Sequence, residues 1–285
     1  MIKRLITGAV LIILLIPVFI YSDTIILPIV FSAITAVTLY EVAVCCKAAD
    51  KKHLPLAIPV YIIGAALPLI EYLTRTEAAA SSAVMYPHLP EILLTAAFLM
   101  IFVIYAGGVF GYVKFSMSPA AQLLTMLIYA GGSAVAAVAI SSSDNGKLLL
   151  PLIFIGSWGT DTFAYLSGRL FGRHKLIPSV SPHKTIEGSV GGSLCCAALF
   201  ALYGAIISSV TELTANYTAL ILTGLFISVI SQIGDLNASY IKRVHKIKDF
   251  GNIFPGHGGM FDRFDSLIAV VPFIFVFILA ISYFI

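Results

Sequence analysis

The residues best suited to chemistry lie in the second half of the chain, where acidic and basic residues recur at helical spacing. Ser239, Lys242 and Arg243 follow Asp235 at offsets of four, seven and eight residues. On a helix of about 3.6 residues per turn, these offsets place all four side chains on one face. Lysine and arginine near a helix end can simply extend to the membrane interface, but this does not explain Asp235. The stripe therefore combines a carboxylate, a hydroxyl and two cations, a set suited to a metal-bound phosphate.

A glycine-rich loop and two further acids follow this stripe. Glycines at positions 256, 258 and 259 allow the backbone to approach a phosphate closely, and nearby Lys and Arg supply positive charge. Asp262 and Asp265 share a face in the first turn of the next predicted helix, where the helix dipole favours acids even without a catalytic role. Together with Asp235 they offer hard oxygen ligands. We therefore predict a Mg²⁺ site formed by Asp235, Asp262 and Asp265.

An earlier basic segment has the same character. Asp161, Tyr165 and Gly168 fall on one helical face. The cations that follow are Arg169, Arg173, Lys175 and Lys184. Thr185 has two open interpretations, as part of the site or as the cap of the following helix.

Composition indicates what must position these residues. Of 285 residues, 59% are hydrophobic and 11% are charged, whereas about a quarter of a soluble domain is charged. Apolar runs of about 20 residues match the thickness of a bilayer. Nine runs are predicted to span the membrane: Leu5–Ser22, Thr24–Cys46, Leu54–Leu73, Ile92–Val113, Ala120–Ser141, Leu148–Leu170, Val190–Val210, Tyr217–Tyr240 and Ser266–Phe284.

The basic residues predict an orientation, because cytoplasmic loops are enriched in Lys and Arg. With a cytoplasmic N-terminus, only Arg75 and Lys147 of the seventeen fall outside. The predicted fold class is therefore an all-α polytopic membrane bundle of about nine transmembrane helices with its N-terminus in the cytoplasm. This orientation and the phosphate site explain the net charge of +3, so nucleic acid is not an expected partner.

The distribution of ionisable residues predicts two regions. Residues 1–147 are expected to be a transmembrane scaffold, and residues 148–285 a catalytic region with loops on the cytoplasmic side. Glu41 is the one acid within an early span; it could pair with a basic residue or lie near the interface. The adjacent pairs Cys45–Cys46 and Cys195–Cys196 lack the spacing of a metal site or a disulfide framework.

The motifs resemble a known family. The run from Ser239 to Arg243, Lys248-Asp249, and the run from His257 to Asp265 (HGGMFDRFD) are similar to the signature of the phosphatidate cytidylyltransferases, also called CDP-diacylglycerol synthases. The segment from Ser181 to Gly188 (SPHKTIEG) is similar to that family's second motif. The similarity is close from about residue 161 to 266, whereas the first half matches only as apolar spans.

The resemblance implies an enzyme that converts CTP and phosphatidate to CDP-diacylglycerol and pyrophosphate. Its catalytic residues are expected to be Asp235, Lys242, Asp262 and Asp265, and the three acids are expected to hold Mg²⁺. The resemblance also allows a second cation in the same site. Its substrate-binding residues are expected to be Asp161, Lys184, Thr185, Ser239, Arg243, Lys248, His257 and Arg263. The resemblance also implies a homodimer, expected in the cytoplasmic membrane of a prokaryote. The placement of charges at the bilayer boundary predicts that membrane lipid enters sideways from the inner leaflet and that CTP arrives from the cytoplasm.

Three alternatives remain open at this point. A CTP-dependent polyprenol or phytol kinase would also combine acids and lysines in a membrane. A CDP-alcohol phosphotransferase is disfavoured, because its paired acidic repeats are absent. A cation transporter could use Asp161, Asp235 and Asp262 as an ion path, but the Lys, Arg and Gly of the site loop suit an anionic phosphate better.

Overall fold

The computed structural model describes residues 15–80, 89–112, 117–254, 256 and 258–284. Its helices are α1 (Ile26–Cys45), α2 (Leu54–Ala80), α3 (Leu89–Val109), α4 (Pro119–Ser141), α5 (Gly146–Phe154), α6 (Thr160–Phe171), α7 (Ile186–Val210), α8 (Tyr217–Val244) and α9 (Phe261–Ala280). A π-helical turn, Ile155–Gly159, joins α5 to α6. Two short strands, β1 (Lys175–Ile177) and β2 (Ser181–Thr185), lie between α6 and α7.

In the described part of the chain, seven helices are long and apolar enough to cross a membrane, so the protein is a polytopic helical membrane protein. They correspond to seven of the predicted spans, with ends that shift by several residues. The predicted span Leu148–Leu170 is instead built from α5, the π turn and α6, which have 9, 5 and 12 residues. Residues 5–14 of the predicted first span lie outside the described residues. Residues 15–20 of the same span are helical. The count of nine stays a prediction.

The π turn directly precedes the acid Asp161 of α6. The hydroxyl of Ser231 on α8 donates to the carbonyl oxygen of Ser157 at 3.5 Å, so a neighbouring helix serves a carbonyl of this turn. Gly156 faces Ile227 of α8, where a Cβ atom would overlap the isoleucine side chain. Single π turns inside α-helices recur at functional sites, since the added residue rotates the following helical face.

The prediction of an all-α fold is wrong in one place, the segment between α6 and α7. There β1 and β2 pair antiparallel, with Lys175 opposite Thr185 and Ile177 opposite Ser181. This hairpin docks on α8, because Leu236 packs in a small apolar cluster with the hairpin. Pro182 and Lys184 belong to residue types that are depleted in strands, so the sequence gives little strand signal here and the pairing is recognisable only in three dimensions.

Both halves of the chain share one hydrophobic core. Aromatic rings join α3, α4 and α9: Phe98 stacks on Tyr129 with ring centroids 4.7 Å apart, and Phe102 meets Phe273 edge-on at 5.2 Å. Gly131 lets α4 approach α2, since a Cβ atom there would lie 2.9 Å from Leu67. Helices α3 and α4 of the first half therefore pack directly against α9. The division into a scaffold of residues 1–147 and a catalytic region of residues 148–285 stays a prediction.

Candidate active site

A cavity of about 580 Å³ opens where α6, β2, α7, α8 and α9 meet. This volume lies within the range of about 300–1,000 Å³ typical of small-molecule sites. Its charged lining, among the described residues, consists of Asp161, Asp235, Asp262, Asp265, Arg169, Lys184, Lys242 and Arg263. Residues from both basic segments of the sequence therefore reach one cavity.

Asp235 of α8 and Lys184 of β2 form an ion pair across the cavity. The Nζ–Oδ2 distance is 2.6 Å, and Lys184 Nζ also donates to the carbonyl oxygen of Gln232 at 3.3 Å. Burial by itself lowers the pKa of Lys184, but the carboxylate of Asp235 outweighs it and holds the pKa above the ordinary lysine value. Lys184 is therefore a firmly charged cation in the wall of the site.

Two further acids converge on Asp235. Asp265, from the first turns of α9, lines the same cavity as Asp235. Asp161 of α6 accepts a hydrogen bond from the hydroxyl of Ser266 at 2.9 Å. Three acids from three helices therefore line one cavity together with Lys184.

Asp262 is engaged differently, because protein donors occupy both of its oxygens. Oδ1 accepts from Lys242 Nζ at 2.8 Å, and Oδ2 accepts from the backbone N–H groups of Phe250 and Gly259 at 2.8 and 2.9 Å. The side chains of Lys242 and Asp262 are only 12% and 2% exposed. Asp262 therefore ties the loop 250–259 to α8 as well as lining the cavity.

The wall on the α6 and α7 side depends on close glycine packing. Gly168 of α6 and Gly188 of α7 both face Thr185, and a Cβ atom on either would lie 2.9 Å from Thr185 Oγ1. Thr185 caps α7 by accepting from the N–H of Gly188 at 3.1 Å. It also lines the cavity, as do Asp161, Tyr165 and Gly168. The predicted common face of these three residues is confirmed.

The donor set fits a divalent cation bound by few protein ligands. Among the described residues, no group of three or more His, Cys, Asp or Glu side chains is arranged to hold a metal ion by itself. Mg²⁺ typically takes one or two carboxylates and completes its shell with water and substrate phosphate. Asp235 and Asp265 both offer carboxyl oxygens to the cavity, and one oxygen of Asp235 is paired with Lys184. Both oxygens of Asp262 are already bound, by Lys242 and two backbone amides.

Three of the predicted substrate-binding residues that the structure describes are not in the cavity lining. Ser239 is buried within α8, and Lys248 is exposed. Arg243 Nε donates to the carbonyl oxygen of Val180 at 3.2 Å, where it supports the β1–β2 hairpin. His257 lies outside the described residues. The roles of these four residues in substrate binding stay predictions.

Two residues of the site were missed in the sequence. Gln232 lines the cavity one helical turn before Asp235, and its amide donates to the carbonyl oxygen of Ser189 on α7 at 3.3 Å. Its offset of three residues from Asp235 was the available signal. Ser266, which binds Asp161, directly follows the signature but has no spacing signal of its own.

The fold and the cavity define a class: an integral membrane protein whose helices enclose a charged cavity. The model of the cytidylyltransferase family matches residues 2–281, so the chain belongs to that family of nucleotidyltransferases. It is 45% identical to a phosphatidate cytidylyltransferase of Bacillus subtilis over 124 residues, 44% of each chain. It is 36% identical to one of Staphylococcus haemolyticus over 182 residues, 64% of this chain and 68% of that relative. The family resemblance expected from the motifs is confirmed.

Proposed function

We propose that the protein transfers the cytidylyl group of CTP to phosphatidate and so produces CDP-diacylglycerol and pyrophosphate. The observation that carries this proposal is the convergence of Lys242, Asp262, Arg263 and Asp265, all from the signature, with Lys184 on one cavity. The similar bacterial proteins are named phosphatidate cytidylyltransferases, which supports the same donor and acceptor here.

In the proposed reaction, an oxygen of the lipid phosphate attacks the α-phosphorus of CTP. A phosphorus–oxygen bond forms, the bond to the oxygen bridging the α- and β-phosphates breaks, and its electron pair leaves with pyrophosphate. A phosphate monoester has a second pKa of about 6, so the attacking group is largely a dianion at neutral pH and needs no strong base. Lys184, Lys242 and Arg263 then act by orienting the phosphates and neutralising their charge.

A charge balance supports the proposed need for Mg²⁺. The described lining has four acids and four Lys or Arg residues, so it offers no excess positive charge to two strongly anionic substrates. Of the predicted ligands, Asp235 and Asp265 would hold Mg²⁺ with the oxygens that Lys184 leaves free, and Asp262 can join them by releasing Lys242. When bound, Mg²⁺ supplies positive charge at the reacting phosphates, and a second cation in the same site remains part of the proposal.

Orientation and assembly are also part of the proposal. The cavity lies near the ends of α6, α8 and α9, and these helix ends with the segments that follow α6 and α8 carry nine of the seventeen Lys and Arg residues. This supports a cytoplasmic active site, a cytoplasmic N-terminus and nine spans. Phosphatidate then enters from the inner leaflet and CTP from the cytoplasm. Apolar spans and bacterial relatives support the cytoplasmic membrane of a prokaryote as the location, and we propose a homodimer there. Ser239, Arg243, Lys248 and His257 remain proposed substrate contacts.

The test uses CTP labelled at two positions, with the purified full chain and phosphatidate in detergent micelles. Transfer of the cytidine label into lipid, with release of pyrophosphate, is expected. Transfer of the γ-phosphate label into an added polyprenol would instead identify a kinase. Cation flux in vesicles without CTP turnover would identify a transporter.

Removal of divalent metal is expected to abolish turnover, because Asp235 and Asp265 then face anionic substrates without a bridging cation. The same preparation is dialysed against EDTA, assayed, and assayed again after Mg²⁺ is added back. Full activity in the metal-free preparation would refute the proposed cofactor.

A further inference from the structure

The start of α9 is capped by an acid from the other half of the chain. The backbone N–H groups of Met260 and Phe261 donate to Oε1 and Oε2 of Glu41 at 2.8 and 2.9 Å. Met260 is the N-cap residue of α9 and makes no side-chain capping bond. The first N–H groups of a helix have no partner within the helix. Glu41 of α1, 219 residues before Met260, therefore supplies the cap that the local sequence lacks.

The loop backbone closes around this carboxylate on both sides. Gly251 and Gly259 lie against Glu41, and a Cβ atom on either would overlap Glu41 Oε1. Glu41 is only 3% exposed, and backbone N–H groups occupy both of its oxygens. The two amides therefore bind a carboxylate at this place. Glu41 pairs with backbone N–H groups and not with the basic residue that the sequence analysis considered as its partner.

The capped turn carries the acids of the active site. Asp262 directly follows Phe261, and Asp265 lies one turn further along α9. Glu41 fixes the N–H groups of residues 260 and 261, and Asp262 fixes that of Gly259 at 2.9 Å. Two carboxylates thus hold three consecutive amides, which sets both the height and the rotation of the first turn of α9.

We propose that Glu41 is a positioning residue of the active site, through which the N-terminal half holds Asp262 and Asp265 in register with Asp235. The inference rests on the proposed function, since those acids are its cation ligands. Glu41 does not line the cavity, so it acts through the helix start rather than on substrate. A displacement of about 1 Å at a reacting group can cost about 100-fold in rate.

Three variants separate positioning from general stability. Glu41→Gln keeps the size of the side chain but presents an amide NH₂ to one of the two backbone N–H groups. Gly251→Ala adds a methyl group that presses on the carboxylate of Glu41, and it substitutes no acidic residue. The backbone at Gly251 is not in the left-handed region. Glu91→Gln is the matched control, because Glu91 is also 3% exposed and lies away from the cavity, where it binds Arg75 Nη2 at 2.6 Å.

The full-length variants are purified in detergent and measured in two ways. The first is kcat and KM for CTP, and the second is hydrogen exchange of the amides of residues 259–261. We expect Glu41→Gln and Gly251→Ala to lower kcat about 10- to 100-fold, to change KM far less, and to speed exchange of those amides. Glu91→Gln is expected to change neither the exchange nor kcat.

The inference is overturned if Glu41→Gln retains the kcat of Glu91→Gln, or if its loss of activity only follows its loss of folded protein. If Glu41→Gln does not fold, Gly251→Ala decides by the same criteria. Failure of the proposed function is distinguishable, because the unmodified chain would then produce no CDP-diacylglycerol, while hydrogen exchange would still report whether Glu41 holds α9.

Discussion

The ion pair between Lys242 and Asp262 allows structural and catalytic roles to be separated by a double-mutant cycle. Asp262→Asn cannot satisfy its three partners. If the amide oxygen keeps the N–H groups of Phe250 and Gly259, the NH₂ group faces the ammonium of Lys242. Lys242→Met removes that ammonium, and the double variant removes the conflict.

The magnitude follows from the burial of the pair, whose side chains are 12% and 2% exposed. Removing one partner of a buried ion pair costs about 3–5 kcal/mol, and we expect about 3 kcal/mol for Asp262→Asn. Lys242→Met should cost about 2 kcal/mol, because Asp262 keeps its two backbone donors. The double variant should cost about 3 kcal/mol instead of the sum, which is a coupling of about 2 kcal/mol.

The assay is thermal unfolding in detergent, in which about 2 °C corresponds to 1 kcal/mol for a chain of this size. Asp262→Asn should therefore melt about 6 °C below the unmodified chain. The double variant should melt at a higher temperature than the sum of the two single losses predicts. All three variants should lack CTP turnover, since stability returns in the double variant but the proposed site does not. Additive costs, or an unchanged melting temperature in Asp262→Asn, would refute the reasoning.

Two further predictions concern the cavity wall. Gly188→Ala should destabilise the protein by about 1–3 kcal/mol and lower turnover, because the new Cβ atom would lie 2.7 Å from the carbonyl oxygen of Ala164 and 2.9 Å from Thr185 Oγ1. Gly111→Ala is strained by its positive φ of 80° but lies in open space away from the cavity. It should therefore cost stability without lowering turnover of the folded protein, and an equal effect of the two on turnover would contradict the packing argument. Because the pKa of Lys184 is raised, the stability given by its pair with Asp235 should be present up to pH 10.5 and be lost as pH rises further. The difference in melting temperature between the unmodified chain and Lys184→Met should therefore be constant from about pH 7 to 9. A difference that disappears within this range would contradict the prediction.

The membrane character and most helix positions followed from the sequence, because long apolar runs have few alternatives to a membrane helix. The face shared by Asp161, Tyr165 and Gly168 was also predictable, since helical periodicity fixes which residues of one helix lie together. The hairpin was not predictable: Pro182 and Lys184 have little strand character, and their pairing depends on the apolar contact with α8.

The composition of the cavity was only partly predictable. Lys184 and Asp235 were identified separately, but nothing local indicated that they form a direct ion pair. Arg243 has the spacing of a site residue, yet the position of the hairpin directs it to the carbonyl oxygen of Val180. Periodicity assigns a side chain to a face of its helix, whereas its partner depends on which element packs there.

The sequence by itself determined that the protein is a helical membrane enzyme of a recognisable family, and which acids and cations carry its signature. Only the tertiary structure decided how these residues are paired, with Asp262 held by Lys242 and the start of α9 held by Glu41. The physical reason is the range of the interactions. Apolar patterning and helical spacing act within about 20 residues, but the cap on α9 connects residues 219 and 220 positions apart, and only the packing of α1 against α9 creates it.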